Sequence, residues 1–370
     1  MQLKIKKELL QKAISVVEKT IGRNLSLPVL NNILIKAEKN NLFLISTDLE
    51  LAVIVKLIAK PDEEGSIVLN PRTLVGFLNN SPEGEALLKT KKSTIYIEQQ
   101  SYKTAIKGFD NKEFPLLPKI DKKVFFTISS EDLTHGLNQV INSVSKSELK
   151  PELTGVFFNI TKNTIKLAAT DSFRLSEKTI NRDKSESVSS DSFVLPLKTT
   201  QEIVRIYQDF NDILFFYKNR NQVSIVNEEN GKFNIQIISK IIEGEYPNYE
   251  QIIPSDYVTK VMISKQEFMQ QIKAGSLFSS RINDIEVKIG DRQISVSASN
   301  NDVGEYTSSI VALVEGEEQE AKFNYNYILD GLNNLEGDEV VFKVSKSEGP
   351  VIMESIKHKD YFYILMPIRK

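Results

Sequence analysis

Apolar and polar residues alternate along three stretches of the chain, and these stretches align with one another. Residues 156–171 (VFFNITKNTIKLAATD) align without a gap with residues 33–48 and with residues 285–300. In each stretch two alternating segments flank a short polar turn, which is the pattern of a β-hairpin. The chain is therefore predicted to contain three copies of one structural unit.

A helical pattern precedes each predicted hairpin, and a second one follows it. Ser129 and Ser264 each stand three residues before an acidic side chain, which is the spacing of a capping box at a helix start. Further alternating segments close each copy. The predicted fold class is α+β, with two helices packed on antiparallel sheets in each of three repeated domains. The preceding helices are predicted at residues 7–21, 130–145 and 265–278, and the following ones at residues 69–80, 195–207 and 323–335.

Length and composition agree with three domains. The chain has 370 residues, and a third of that length, about 120 residues, is an ordinary size for a domain with its own core. We expect domains at residues 1–121, 122–256 and 257–370. The apolar share of 41% and the charged share of 26% are those of a globular protein, and the sequence contains no cysteine. Because neither a signal-peptide pattern nor a membrane-length apolar run occurs, we expect a cytoplasmic protein.

Candidate catalytic chemistry is sparse. The two histidines, His135 and His358, have no sequence partners at metal or triad spacing. Motifs of nucleotide-binding loops, metalloproteases and serine hydrolases are missing from the sequence. The sequence therefore predicts a protein without catalysis, without a cofactor and without a metal site.

Two aspartates allow an alternative. Asp48 and Asp171 occupy equivalent positions at the end of the second strand of their hairpins, where the third copy has Asn300. Paired aspartates could hold metal ions for phosphoryl transfer on a nucleic acid. The asparagine in the third copy favours the other interpretation, in which each side chain accepts backbone N–H groups in a turn.

Basic residues on or beside the predicted helices point to a polyanion. The formal net charge is −2, yet lysines and arginines recur opposite the apolar stripes of equivalent helices. Most charged helix faces are simply hydrated. Recurrence in three copies favours binding to the phosphates of duplex DNA without reading its bases. The candidate DNA-facing residues are Arg23, Lys146, Lys150, Lys198, Arg205 and Lys273.

Six phrases carry a resemblance to a known family. They are LPVLNNILI (27–35), STDLEL (46–51), ELTGVFFNI (152–160), AATDSFRLS (168–176), EGEYPNYEQIIP (243–254) and YILMPIRK (363–370). In this order and over essentially the whole chain, the sequence resembles the bacterial DNA polymerase III β subunit, the replicative sliding clamp. The resemblance implies a head-to-tail homodimer that closes into a ring around duplex DNA, with helices lining the hole and sheets outside. It also implies a non-catalytic processivity factor whose partners are the replicative polymerase and the clamp loader.

The resemblance further implies a partner-binding cleft between the second and third domains, which takes a short, glutamine-led apolar peptide. Ser172 and Phe173 replace a Gly-His pair that is common in the family, and Gln251 stands where an arginine is frequent. These departures concern peptide preference. From the pattern alone, the same residues could equally be core residues at strand ends. The cleft residues carried over are Leu153, Thr170, Ser172, Phe173, Arg174, Leu175, Pro247, Ile252, Met366, Pro367 and Ile368.

A dimer interface is implied by the same resemblance. It would join the first domain of one copy to the third domain of the other through apolar residues at edge positions, Ile106 and Leu277, with Phe278 nearby. Two alternatives from other classes stay open from the sequence. One is a metal-dependent nucleic-acid enzyme that uses Asp48 and Asp171, and the other is a monomeric scaffold without a role on DNA.

Overall fold

Each of the three repeats contains two helices and a set of antiparallel strands. The structure, a computed structural model, describes residues 1–22, 27–118, 123–182, 190–227, 233–345 and 349–369. The first repeat (residues 1–121) contains β1 (Gln2–Lys6), α1 (Lys7–Val17), β2 (Ile33–Glu38), β3 (Asn41–Thr47), β4 (Leu51–Ile58), β5 (Gly65–Leu69), α2 (Pro71–Asn79), β6 (Glu85–Lys91), β7 (Thr94–Gln99) and β8 (Tyr102–Lys107).

The second and third repeats follow the same order. The second (residues 122–256) contains β9 (Val124–Ser129), α3 (Ser130–Val140), β10 (Gly155–Ile160), β11 (Thr164–Thr170), β12 (Arg174–Asn181), β13 (Asp191–Pro196), α4 (Leu197–Tyr207), β14 (Ile213–Lys218), β15 (Gln222–Asn227) and β16 (Phe233–Lys240). The third (residues 257–370) contains β17 (Thr259–Ser264), α5 (Lys265–Ser276), β18 (Asp284–Ile289), β19 (Gln293–Asn300), β20 (Gly304–Val311), β21 (Leu313–Gly316), β22 (Gln319–Asn324), α6 (Tyr325–Asn334), β23 (Glu339–Val344), β24 (Val351–Ser355) and β25 (Tyr361–Leu365).

The six predicted helices are all present, and each is shorter than its pattern. In α1, Leu10, Ala13 and Ile14 are fully buried, so the apolar stripe faces the core as its spacing predicts. The predicted cap of α5 is confirmed, because the Ser264 hydroxyl accepts the N–H of Glu267 at 3.4 Å. Among the described helices, none has both the length and the apolar content needed to span a membrane.

The predicted hairpins are confirmed as antiparallel pairs of strands. In the first repeat, β2 and β3 are joined by Lys39 and Asn40, whose φ angles are 49° and 63°. Positive φ at both central residues is the signature of a type I′ turn, which matches the natural twist of two antiparallel strands. The same strand pairing recurs as β10 with β11 and as β18 with β19.

The chain folds into two compact units. Unit 1 comprises Met1–Glu131 and Arg205–Ile241, and unit 2 comprises Asp132–Val204 and Ile242–Lys370. Unit 1 contains a sheet of order β5-β2-β3-β4-β16-β15-β14-β9 and a four-stranded sheet of order β1-β6-β7-β8. Unit 2 contains a sheet of order β13-β10-β11-β12-β25-β24-β23-β17-β21 and a four-stranded sheet of order β20-β19-β18-β22.

Sheet hydrogen bonding continues from one repeat into the next. In unit 1, β4 of the first repeat pairs with β16 of the second. In unit 2, β12 of the second repeat pairs with β25 of the third. The second repeat therefore contributes to both compact units. Domain boundaries at residues 121 and 256 stay a prediction, because the compact units divide the chain differently.

Candidate functional site

A groove of about 670 Å³ opens in unit 2. The turn between β11 and β12 forms one side, residues at the start of α6 form another, and the C-terminal tail forms the third. Apolar side chains dominate the lining, and Arg369 is the cation in it. The lining residues are Ser172, Phe173, Ile282, Asn324, Tyr327, Met366, Pro367, Ile368 and Arg369.

Side-chain caps fix the turn that carries Ser172 and Phe173. The Asp171 carboxylate accepts the backbone N–H groups of Phe173 and Arg174, both at 3.0 Å. The Thr170 hydroxyl accepts the N–H of Ser172 at 3.1 Å and donates to the Arg174 carbonyl at 2.7 Å. Ser172 has a φ of 77°, a left-handed conformation that glycine adopts more easily. The turn thus directs the Phe173 ring outward, where 61% of the residue is exposed.

The C-terminal tail is held by backbone hydrogen bonds at two points. Met366 N donates to Phe173 O at 2.9 Å, and Ile368 N donates to Lys322 O at 2.7 Å. The first bond extends the β12–β25 pairing into the turn, and the second attaches the tail to β22. Because both ends of the segment are fixed, Met366, Pro367 and Ile368 form a rigid wall of the groove.

Arg174 lies behind the groove and is nearly buried, with 8% of the residue exposed. Its Nε donates to Asp171 Oδ2 at 2.9 Å, and its Nη1 donates to Asp330 Oδ2 at 2.5 Å. Its guanidinium carbon lies 4.3 Å from the centroid of the Tyr327 ring. Burial and the Asp171 carboxylate raise the pKa of Tyr327.

The structure divides the predicted cleft residues into four groups. Ser172, Phe173, Met366, Pro367 and Ile368 line the groove. Leu153 and Leu175 are instead buried in a core cluster, and Leu175 is 1% exposed. A side chain inside that cluster has no free surface for a partner, so the prediction of Leu175 as a residue of the cleft surface needs correction. Thr170 and Arg174 are buried supports of the turn, and Pro247 and Ile252 are exposed residues outside the lining.

The segment that carries Pro247 and Ile252 is anchored by two tyrosines. Tyr246 stacks on Phe157 with ring centroids 4.5 Å apart. The Tyr249 hydroxyl donates to Glu177 Oε2 at 2.6 Å. Burial and this hydrogen bond to Glu177 raise the pKa of Tyr249, so that the phenol stays a donor. The EYPNYE phrase is therefore an anchoring sequence, and its tyrosines belong to the core cluster that includes Leu153 and Leu175.

Sequence reasoning missed four lining residues. They are Ile282, Asn324, Tyr327 and Arg369. The MPIR phrase includes Arg369, but the predicted cleft residues ended one position earlier, at Ile368. Tyr327 carried a weak signal, since it is an aromatic residue beside the buried stripe of α6 that includes Ile328 and Leu332.

The candidate DNA-facing residues differ in what they contact. Lys146, Lys150, Lys198 and Lys273 are exposed, whereas Arg23 lies outside the described residues. Arg205 needs correction as a free phosphate ligand. Its guanidinium donates to the carbonyls of Ser15 and Val16 at 3.3 and 2.7 Å, near the end of α1. A cation suits a helix C-terminus, where carbonyl groups lack helical partners, so Arg205 has a structural role.

The predicted interface residues differ in how exposed they are. Leu277 is 71% exposed, as an interface residue of an isolated chain would be. Phe278 is partly buried and stacks on Tyr306 at 6.0 Å. Ile106 lies in the edge strand β8, but it is only 6% exposed because it packs into the core of its own sheet. A charge at Ile106 would therefore destabilise the fold of the first repeat, so such a change would not test the dimer interface alone.

The aspartates and histidines make structural contacts. Asp48 accepts the N–H groups of Glu50 and Leu51 at 3.0 and 2.7 Å, as Asp171 does in its own turn. The turn interpretation of these aspartates is confirmed. His135 and His358 both contact Glu336, at 2.7 and 3.1 Å. In the described ranges, no group of three or more His, Cys, Asp or Glu side chains is arranged to hold a metal ion.

Comparison with known proteins matches the whole chain to one family. The N-terminal domain of the DNA polymerase III beta subunit matches residues 1–118. Its central domain matches residues 127–248, and its C-terminal domain matches residues 250–369. These matches follow the order of the three repeats.

Curated relatives and solved structures agree with that match. The chain is 27% identical over 391 residues to the "Beta sliding clamp" of Bacillus subtilis (strain 168), with all of both chains covered. It is also 27% identical over 382 residues to the "Beta sliding clamp" of Staphylococcus aureus (strain Mu50), covering 100% of this chain and 99% of the relative. The crystal structure of the DNA polymerase sliding clamp from Bacillus subtilis superposes with a TM-score of 0.92 at 24% identity, over 100% and 99% of the two chains. A Pseudomonas aeruginosa sliding clamp bound to griselimycin superposes with a TM-score of 0.93 at 20% identity, over 100% of both chains. These likenesses show the fold.

Proposed function

The chain belongs to the DNA polymerase III beta subunit family, and we propose that it forms a ring in which β8 of one copy pairs with β20 of another. It is a sliding clamp without catalysis of its own. It encircles duplex DNA, receives the replicative polymerase and the clamp loader, and confers processivity because a tethered polymerase does not leave its template. We place it in the cytoplasm.

The observation that carries the ring is a sheet joint that occurs twice within the chain. The joints are β4 with β16 and β12 with β25. The equivalent strands of a third joint are β20 and β8, and each ends its four-stranded sheet in the described part of the chain. An edge strand presents unpaired N–H and C=O groups that a second strand satisfies. Two copies joined head to tail then close with two identical joints.

The two joints within the chain share one register. Ser239 of β16 lies opposite Leu51 of β4, and Leu365 of β25 lies opposite Arg174 of β12. At the next position in each joint, a backbone N–H of the second strand donates across the joint at 2.9 Å. The repeats therefore reproduce the joint together with its hydrogen bonds.

Internal pairing identifies the equivalent residue in β8. Ser239 and Leu365 each lie opposite the first buried residue of the preceding strand. In β8 that place belongs to Ile106, which lies opposite Ile95. The backbone of Ile106 therefore lies at this position of the joint between copies, while its side chain stays in the core of its own repeat.

The same reasoning identifies its partner in β20. In each of the first two hairpins, the last strand residue before the turn aspartate has a partner in the next strand. Leu51 and Arg174 each stand one residue before that partner. In the third repeat the corresponding hairpin position lies opposite Glu305, so the equivalent residue is Gly304. Ile106 of one copy is therefore placed opposite Gly304 of the other.

This placement sets the remaining pairs. Ala105 lies opposite Glu305, with Lys103 and Lys107 two positions away on the same face. A glutamate diagonal to two lysines adds favourable charge pairs, each worth about 0.2–1 kcal/mol in antiparallel sheets. The exposed Leu277 supplies apolar surface in the same repeat as β20.

An engineered disulfide tests the ring and its register together. The chain has no cysteine, so Ala105→Cys with Glu305→Cys introduces the only two thiols of each chain. A hydrogen-bonded antiparallel pair has Cα atoms about 5.5 Å apart, within the range that a disulfide spans. We expect oxidation to give a covalent species of two chains, seen by non-reducing electrophoresis and mass spectrometry.

A matched control shifts the register. Ala105→Cys with Ser309→Cys keeps the same outer face but displaces one cysteine by about 13 Å along the strand, so it should not cross-link. Equal cross-linking of both pairs would contradict the register. A disulfide that forms within one chain, or a protein that sediments as a monomer, would contradict the ring and favour a scaffold.

We also propose that the groove in unit 2 is the site for partners. Its apolar walls, its fixed tail and Arg369, the one cation among the described lining residues, suit a short apolar peptide that carries a carboxylate. Met366 adds adaptability, since a thioether side chain repacks around different partners. Peptides of the polymerase and of the clamp loader would compete for this groove.

The exposed lysines would face the DNA inside the ring. Lys146, Lys150, Lys198 and Lys273 are the candidates within the described residues, and Arg23 would join them. Phosphate contacts of this kind carry no sequence information, so they centre the duplex without stopping it.

A further inference from the structure

The contacts of Arg174 connect the two sides of the groove. Asp171, which it binds through Nε, caps the turn that carries Phe173. Asp330, which it binds through Nη1, lies on α6 one turn after Tyr327. We propose that Arg174 is a positioning residue that fixes the Phe173 side of the groove against the Tyr327 side, and that it does not itself contact the bound peptide. The inference rests on the proposed peptide-binding function.

Burial removes Arg174 from the reach of a ligand. Its side chain is 9% exposed, and it is absent from the groove lining. Its guanidinium is enclosed by two carboxylates and by the face of Tyr327. The cation that a peptide carboxylate would meet is Arg369, which does line the groove. The two arginines thus have separate roles.

The contacts of Arg174 depend on the planar shape of the guanidinium as well as on its positive charge. A planar guanidinium donates in two directions while it stacks on an aromatic ring, and a lysine ammonium does neither in the same way. Arg174→Lys should therefore behave like Arg174→Gln. Asp330→Asn should have the same effect, although Asp330 does not line the groove.

The test uses two synthetic peptides and calorimetry on the dimer. One is a neutral, glutamine-led pentapeptide with leucine and phenylalanine side chains, acetylated and amidated. The other has the same sequence with a free C-terminal carboxylate. We expect Arg174→Gln, Arg174→Lys and Asp330→Asn each to weaken both peptides about tenfold and equally. Arg369→Gln should weaken the peptide with the carboxylate more than the neutral peptide. The matched control, Arg292→Gln, removes an exposed arginine that does not line the groove and should bind both peptides normally.

The energetic coupling between Arg174 and Asp330 distinguishes a positioning role of Arg174 from a general loss of stability. If Arg174 acts through Asp330, the double variant Arg174→Gln with Asp330→Asn should bind no worse than either single variant. If the fold-loss of peptide affinity in the double variant equals the product of the two single losses, the inference is overturned. A loss at Arg174→Gln that is confined to the carboxylate peptide would also overturn it, because Arg174 would then be a direct ligand.

A spectroscopic measurement reports on the groove without any peptide. The chain has no tryptophan, so Tyr327→Trp provides a single indole beneath the guanidinium. Adding Arg174→Gln should release the indole and increase its quenching by acrylamide, whereas adding Arg292→Gln, outside the groove, should leave the quenching unchanged. Equal quenching in all three proteins would overturn the positioning role. If the unmodified clamp bound neither peptide while the quenching result held, the proposed peptide site would fail and the local role of Arg174 would stand.

Discussion

A clamp that carries Phe173→Asp and Met366→Asp is expected to bind the neutral peptide at least a hundredfold more weakly than the unmodified clamp. Both side chains line the groove. Burying one apolar side chain against a partner contributes about 1.5–3 kcal/mol, so the loss of two such contacts is worth about 3 kcal/mol or more. The new carboxylates add a cost, because an apolar ligand would have to desolvate them.

The affinity is measured by calorimetry, and dimerisation by sedimentation. Leu116→Asp with Leu149→Asp is a suitable control, because it adds two negative charges at strongly exposed leucines that do not line the groove. The control should bind the peptide normally, and both proteins should sediment as dimers. Unchanged affinity in the groove variant would remove this surface as the partner site.

Leu175 would be a poor choice for this experiment. It lies in the core cluster with Leu153, Tyr246 and Tyr249. Leu175→Ala would leave a cavity, and substitutions of that kind cost about 2–5 kcal/mol of stability. Weaker peptide binding would then report on a loosened core instead of a lost contact.

The architecture was predictable because it rests on local periodicity. The apolar stripe of α1 and the alternation in β2 and β3 are each contained within a few turns or a few strand residues. Repetition strengthens the prediction of these helices and hairpins, since the same pattern appears three times. Long-range joints such as β4 with β16 leave no such local trace, because pairing partners lie far apart in the sequence.

The site was only partly predictable, and the reason is visible in β12 and its turn. Phe173 and Leu175 are two residues apart and both apolar, yet one is exposed and the other is buried. The left-handed backbone of Ser172 redirects the chain, so strand alternation does not extend through the turn. Tyr327 and Arg174 belong to different repeats, and only the folded unit 2 brings the guanidinium over the ring.

Arg205 shows a similar limit. Its position on α4 beside other polar residues resembles a hydrated or phosphate-facing side chain. Its guanidinium nevertheless donates to carbonyls near the end of α1, which are remote in sequence. Charge patterning identifies a polar face, but it does not identify what that face contacts.

Retention on a nicked circular DNA is expected to persist when the salt concentration is raised, and to end when the circle is cut. Phosphate contacts made by the four exposed lysines alone would give a salt slope of about −0.9 per phosphate. A tenfold rise in salt would then weaken such contacts roughly four thousandfold. A ring threaded on a circle escapes only if a joint opens, so salt screening of the lysines does not release it.

The cross-linked variant tests directly whether the ring encloses the DNA. Ala105→Cys with Glu305→Cys, loaded in the reduced form with the clamp loader and then oxidised, should become a covalent ring linked to the circle that survives even denaturation in detergent. The same protein oxidised before loading should not be retained, because a closed ring cannot admit the DNA. The Ala105→Cys and Ser309→Cys control should be lost in detergent under both protocols. Linearising the circle should free the covalent ring by letting it slide off an end. Equal retention on circular and linear DNA would show that contacts hold the protein, and enclosure by the ring would then be wrong.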